Sequence, residues 1–100
     1  MKSAVTRERD IEKYLVKRVK EIGGEIRKVK WIGRKSAPDR IIFYYGVYFV
    51  ELKRPGEYLN PSQQREYIRL TQLKADVRCI TTIQEVDDFI DDIWLDDLWT

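Results

Sequence analysis

Apolar residues recur at helical spacing over residues 7–22, where Ile11, Tyr14, Leu15, Val19 and Ile22 are separated by Arg, Lys and Glu. Gly23-Gly24 then stops the helix, because glycine readily takes the left-handed conformation at a helix end. Residues 26–32, IRKVKWI, alternate and predict a strand with Ile26 and Lys28 on one face and Arg27, Val29 and Trp31 on the other. A basic loop, GRKSAP, follows over 33–38. Residues 40–45, RIIFYY, and 47–53, VYFVELK, are rich in β-branched and aromatic residues, and Gly46 between them suggests a tight hairpin. Arg54-Pro55-Gly56-Glu57 must leave the sheet, since proline has no N–H to donate to it.

The next helix carries the plainest signal. Asn60 suits the cap, Pro61 the first turn, and Gln63 completes a capping box. It should run to about residue 74, with Tyr67, Leu70 and Leu73 as its apolar side. Residues 77–81, VRCIT, predict a short strand. Thr82 with Glu85 opens a last helix over 83–95, with Ile83, Val86, Phe89, Ile90 and Ile93 inward. The order α-β-β-β-α-β-α predicts one α/β domain over residues 1–100, a mixed sheet flanked by helices, with an acidic helix and tail at 83–100.

Composition changes this picture mainly by exclusion. The chain has one cysteine and no histidine, which removes a disulfide framework, imidazole-bound zinc and histidine acid–base relays. A metal would be a hard ion held by carboxylates. The net charge is only +2, but all 19 basic groups and ten of the 17 acidic ones precede residue 85, giving that body +9. The remaining seven acidic groups lie between Glu85 and Asp97. Such a body suits a phosphate backbone. No apolar run approaches the roughly 20 residues of a membrane span, and the N-terminus does not read as a signal peptide, so a cytoplasmic location is expected.

Three pieces bear on chemistry. Pro38-Asp39 precedes one strand, Glu51-Leu52-Lys53 ends the next, and Glu12 lies on the first helix beside its apolar face. Alternation points Glu51 and Lys53 to one face, and a hairpin can bring Asp39 to Glu51. Two carboxylates and the Leu52 backbone carbonyl are the oxygen donors that Mg²⁺ or Mn²⁺ takes, with water and phosphate completing the set. Lys53 beside them can orient or deprotonate the attacking water, or stabilise charge developing on phosphorus. Each piece alone is commonplace: E-x-K is often a solvated pair, and Pro-Asp is an ordinary turn.

Together they carry a resemblance. The stretches RDIEKYLVKRVKEIGGEIRKVKW, APDRIIF, VYFVELKRPGEYLNPSQQREYIRL and ADVRCITTIQEVDDFI resemble the VRR-NUC domain, a branch of the PD-(D/E)xK nuclease superfamily, and the resemblance covers roughly residues 8 to 93. The resemblance implies a restriction-endonuclease-like fold. It implies that Asp39 and Glu51 bind metal, that Lys53 is the catalytic lysine, that Glu12 is the family's first-helix acid, and that Gln64 is the glutamine supporting the site. Ala37 stands where the family commonly has glycine. The resemblance further implies a Mg²⁺- or Mn²⁺-dependent endonuclease acting as a homodimer on branched DNA such as four-way junctions, in a phage-infected or bacterial cell. A flap or nicking nuclease needing a partner protein, and a catalytically silent nucleic-acid-binding module, are the alternatives. No organic cofactor and no membrane partner are expected.

Lys28, Lys30, Arg34, Lys35, Arg40, Arg54, Arg65 and Arg69 are candidate phosphate contacts, which position DNA without reading its bases. Phe43, Tyr45 and Phe49 are expected in or beside the core. Tyr44, Tyr48, Tyr58 and Trp31 are the aromatics that can stack on a base, though packing is the commoner fate. Cys79 reads as an inert small residue of a buried strand. The terminal Trp94, Leu95, Leu98 and Trp99 suggest docking back onto the core or onto a second subunit.

Overall fold

A computed structural model describes residues 6–94, which form α1 (Glu8–Glu21), β1 (Glu25–Lys28), β2 (Arg40–Phe43), β3 (Val47–Leu52), α2 (Pro61–Gln72), β4 (Asp76–Ile80) and α3 (Ile83–Ile93). This is the expected order. The sheet runs β1-β2-β3-β4, with β1, β2 and β3 antiparallel in turn and β4 parallel to β3 through the α2 crossover. A parallel neighbour needs such a crossover, while the antiparallel pair closes with a short turn.

Helices α1 and α3 cover one face. Ile11, Leu15 and Val19 of α1 pack with Val86, Phe89, Ile90 and Ile93 of α3 over Ile42, Val50, Leu52 and Ile80 of the sheet. The Tyr14 hydroxyl donates to Asp87 at 2.7 Å, and Arg18 pairs with the same carboxylate, fixing α1 against α3. At the β4 edge, Arg78 reaches both Asp76 and Asp92 and lies over the rings of Tyr48 and Phe89.

Several elements depart from expectation. The first strand ends at Lys28 rather than residue 32. The Val29 N–H still bonds the Asp39 carbonyl at 3.1 Å, and then the chain leaves the sheet, carrying Trp31 into the loop. The second strand ends at Phe43. Tyr44 and Tyr45 belong to the turn, closed by a bond from the Tyr44 N–H to the Gly46 carbonyl, and it is Tyr45 that takes positive φ (+48°). The turn breaks the alternation, so Tyr44 joins the core at 9% exposure while Tyr45 projects at 84%. Phe43 is exposed too, and Tyr48 packs on the core instead of offering itself to a base.

Helix α2 is capped as its sequence predicts. The Gln63 N–H bonds Asn60 Oδ1 and the Asn60 N–H bonds Gln63 Oε1, both at 2.9 Å. Replacing Asn60 by Ala is expected to cost about 1 kcal/mol, read by urea unfolding. Its inward face is a correction, however. Leu73 is exposed, Tyr67 and Leu70 are half-buried, and the one buried side chain of the helix is Glu66. At α3 the Thr82 hydroxyl accepts from the Glu85 N–H, but the Glu85 carboxylate reaches back to Thr81, one residue before the cap. Trp94 ends α3 and is exposed; Leu95, Leu98 and Trp99 lie outside the described residues. No helix among the described residues is long and apolar enough to cross a membrane.

Candidate active site

The hairpin register builds the site. Arg40 pairs with Val50 and Ile41 with Phe49, so one step further Asp39 stands opposite Glu51. Directly opposed residues of an antiparallel pair share a face. The closure is made by a side chain: Asp39 Oδ2 accepts the Leu52 N–H at 2.7 Å, which ties the residue before β2 to the end of β3. The Lys53 N–H then bonds the Ile80 carbonyl, so β4 fixes the chain as it leaves β3. Alternation sends Val50 and Leu52 into the α1/α3 core and Glu51 to the opposite face, under α2.

Glu51 is 6% exposed. It accepts from Gln63 Nε2 at 3.0 Å and, with Gln63, Ser36, Pro38 and Glu66, lines a small cavity between α2 and the sheet. Burial, and next the charge of Asp39, push its carboxyl up to about 7, against the pull of Lys53. Burial also raises Asp39, opposed by the Leu52 N–H, with Glu12 adding to the rise. Glu8 is raised too, by partial burial and by Asp39, so the first turn of α1 contributes a further acid to this field. Lys53 is half-buried, and its charge favours ionisation of Asp39, Glu51 and Glu8 alike. Cys79 pairs with Glu51 in the β3–β4 register. It is half-buried rather than fully buried, and burial with the Glu51 charge raises its thiol, which keeps it protonated and inert.

Asp39, Glu51 and Lys53 therefore come together with the Leu52 peptide between them. Glu12 stands beside them in the same field, but its carboxylate is engaged by Arg40 Nε at 2.7 Å. Gln64 does not reach the site: its amide donates to the Leu59 carbonyl, and the neighbouring Gln63 is the one on Glu51. The capping box explains the exchange, because the N3 side chain of a capped helix turns back toward the preceding loop, which here runs past the end of β3. Glu8 and Gln63 are the residues that sequence reasoning missed. The signal for Gln63 was its own capping position; for Glu8 it was the one-turn spacing from Glu12.

The donor chemistry fits a hard divalent cation. All the side-chain donors are oxygens, and their proton affinities are raised, chiefly by burial and next, at Glu51, by the charge of Asp39, a repulsion that a cation would relieve. Among the described residues, no three Asp, Glu, His or Cys side chains converge as a closed cage, so the protein would supply only part of a coordination shell.

The candidate phosphate contacts divide. Lys28, Lys30, Lys35 and Arg65 are exposed. Arg40 is mostly buried on Glu12, and Arg54 pairs with Glu57. Arg34 and Arg69 both hold Glu66, as does Trp31 through Nε1 at 2.9 Å, which assigns Trp31 to the loop's anchorage rather than to a base.

No family model matches the chain. A protein named "Putative nuclease p44", from Acyrthosiphon pisum secondary endosymbiont phage 1, is 45% identical over 69 residues, covering 67% of this chain and 74% of that protein. A solved structure described as a VRR_NUC domain superposes with a TM-score of 0.80 at 31% identity, over 86% of this chain and 96% of that one. With this identity across nearly the whole of a solved domain, and the same mixed sheet flanked by helices, the chain belongs to the VRR-NUC domain family.

Proposed function

We propose that this protein is a metal-dependent, structure-selective DNA endonuclease that hydrolyses phosphodiester bonds in branched DNA such as four-way junctions. The observation that carries the reading is the hairpin register, which sets Asp39 against Glu51 with Lys53 at the same strand end. Asp39, Glu51 and the Leu52 carbonyl would hold Mg²⁺ or Mn²⁺. That ion, when bound, supplies Lewis acidity toward the scissile phosphate and its attacking water. Lys53 orients and helps deprotonate the water, or donates to the charge developing on phosphorus. Gln63 holds the Glu51 carboxylate in place. Glu12 serves the site through Arg40, and Gln64, named by the family resemblance, has a supporting part no nearer than its helix turn. Lys28, Lys30, Lys35 and Arg65 contact phosphates directly, with Arg34, Arg40, Arg54 and Arg69 contributing positive potential from within their ion pairs.

The family resemblance and the phage relative's printed name support the nuclease reading. The resemblance also supports a homodimer, which suits paired cuts across a symmetric junction and is read by light scattering.

The test is cleavage of labelled four-way junction, flap, splayed-arm and linear duplex DNA with Mg²⁺, Mn²⁺ or EDTA, beside Lys53→Ala. Junction cleavage is expected to need the metal and to fall at least about a hundredfold in the variant. Cleavage that survives EDTA or the substitution sinks the mechanism. Linear duplex cut as fast as junction sinks the selectivity. Binding without any cleavage by the unaltered chain would leave a silent nucleic-acid module.

A further inference from the structure

We propose that Ile32 is an apolar wedge that inserts between bases at the branch point of the DNA, so that the loop leading into Asp39 is what recognises the branch. The inference rests on the nuclease reading above and names how its substrate is selected. Ile32 is 97% exposed. A lone exposed apolar side chain is ordinary on a protein surface. This one differs in how its loop is held.

Trp31 just before it and Arg34 two residues after it are held by one buried carboxylate. Trp31 Nε1 donates to Glu66 Oε2 at 2.9 Å and Arg34 Nη2 to Glu66 Oε1 at 3.1 Å, while Glu66 itself is 5% exposed. Further along, the Ser36 and Ser62 hydroxyls bond at 2.6 Å, and the Val29 N–H bonds the Asp39 carbonyl. Gly33 (φ +84°) and Ser36 (φ +67°) take left-handed backbone between these ties. Trp31 thus turns inward and Ile32 turns out, at the tip of a loop fastened at several points. Lys30, Arg34 and Lys35 flank it with positive charge, and Glu66 and Ser36 line the cavity that also holds Glu51. An exposed isoleucine with Lys30, Arg34 and Lys35 near it in sequence, on a tethered loop that leads into Asp39, has the make-up of side chains that pry base steps apart. Unstacking costs least where a base has already lost a neighbour, as at a branch, so the wedge favours branched over continuous duplex.

The experiment uses the full chain in EDTA, which permits binding without cutting, and four-way junctions carrying 2-aminopurine at each branch-point position in turn. Fluorescence is expected to rise at the branch on binding, to rise equally with Ile32→Leu, and to stay flat with Ile32→Ser at saturating protein. With Mg²⁺, the ratio of junction to linear-duplex cleavage should fall about tenfold in Ile32→Ser. A rise that survives Ile32→Ser, or a saturated complex with no rise at any position, overturns the wedge. So does an Ile32→Ser variant that changes from dimer to monomer by light scattering, since the residue then belongs to a subunit contact. An unaltered chain that neither binds nor cuts DNA overturns the nuclease reading, and the wedge with it. Normal junction cleavage with no signal overturns the wedge alone.

Discussion

Replacing Glu51 by Gln is expected to cut phosphodiester hydrolysis by about a thousandfold and, at the same time, to make the protein more stable at neutral and alkaline pH. Both effects come from the same charge. The carboxylate is buried, faces Asp39 across the hairpin and is pushed up to about 7, so ionising it works against the fold. A group whose proton affinity is higher in the folded state than in the unfolded chain contributes stability that is full below its unfolded pKa, near 4.5 here, and is lost as pH rises through about 7. Glutamine keeps the shape and can still accept from Gln63 Nε2, while removing the charge. In EDTA at pH 8 the variant should therefore exceed the unaltered protein by about 2–3 kcal/mol, with the gap closing toward pH 5. Urea unfolding at several pH values reads it. A variant less stable at pH 8, or a gap that does not change with pH, would show that Glu51 is not held ionised against the fold. On the proposed function, Glu51 would then be a stability cost carried for metal binding, as expected where a fold must hold clustered charge.

The parts of this site that were legible in sequence are those set by local rules. Asn60, Pro61 and Gln63 announced α2 because a capping box is complete within four residues. The β-branched and aromatic runs on either side of Gly46 announced the hairpin, and its register carried Asp39 to Glu51. What could not be read was set by partners far along the chain. Alternation in IRKVKWI is indifferent to the point at which a strand leaves its sheet. It leaves after Lys28 because Trp31 finds Glu66, thirty-five residues on. Tyr44 and Tyr45 exchanged places because the turn took both of them. The apolar spacing of Tyr67, Leu70 and Leu73 suggested a core face for α2, but that helix packs on β4 and on the loop before Asp39, where Tyr67 lines a small cavity with Val77, Pro38 and Leu59 while Glu66, not a leucine, is the side chain it buries. Charges on Arg34, Arg40 and Arg69 looked like free phosphate contacts, since nothing in a linear pattern marks a carboxylate that folding will bring to them.

Glu66 is accordingly the residue whose loss should disturb most without touching the reacting atoms. Glu66→Ala is expected to lower stability by about 2–3 kcal/mol. Surface ion pairs are worth far less, and Arg34 and Arg69 are each about half exposed, so water recovers much of what they lose. The larger share of the cost falls on the Trp31 indole N–H, which is left without its acceptor, and on the space the buried side chain vacates. Glu66→Gln keeps an oxygen for that N–H and should lose roughly 1 kcal/mol. The two variants separate anchorage from charge. If the carboxylate fastens the loop, Glu66→Ala should speed hydrogen exchange across residues 29–38, and cleavage should drop about a hundredfold because Asp39 at the loop's end is less well placed. Glu66→Gln should leave both nearer the unaltered protein. Equal losses in the two variants would mean that the charge itself acts on substrate, through the arginines it orients. Unchanged exchange in Glu66→Ala would mean that the Asp39–Leu52 bond alone positions the site, and that α2 only covers it.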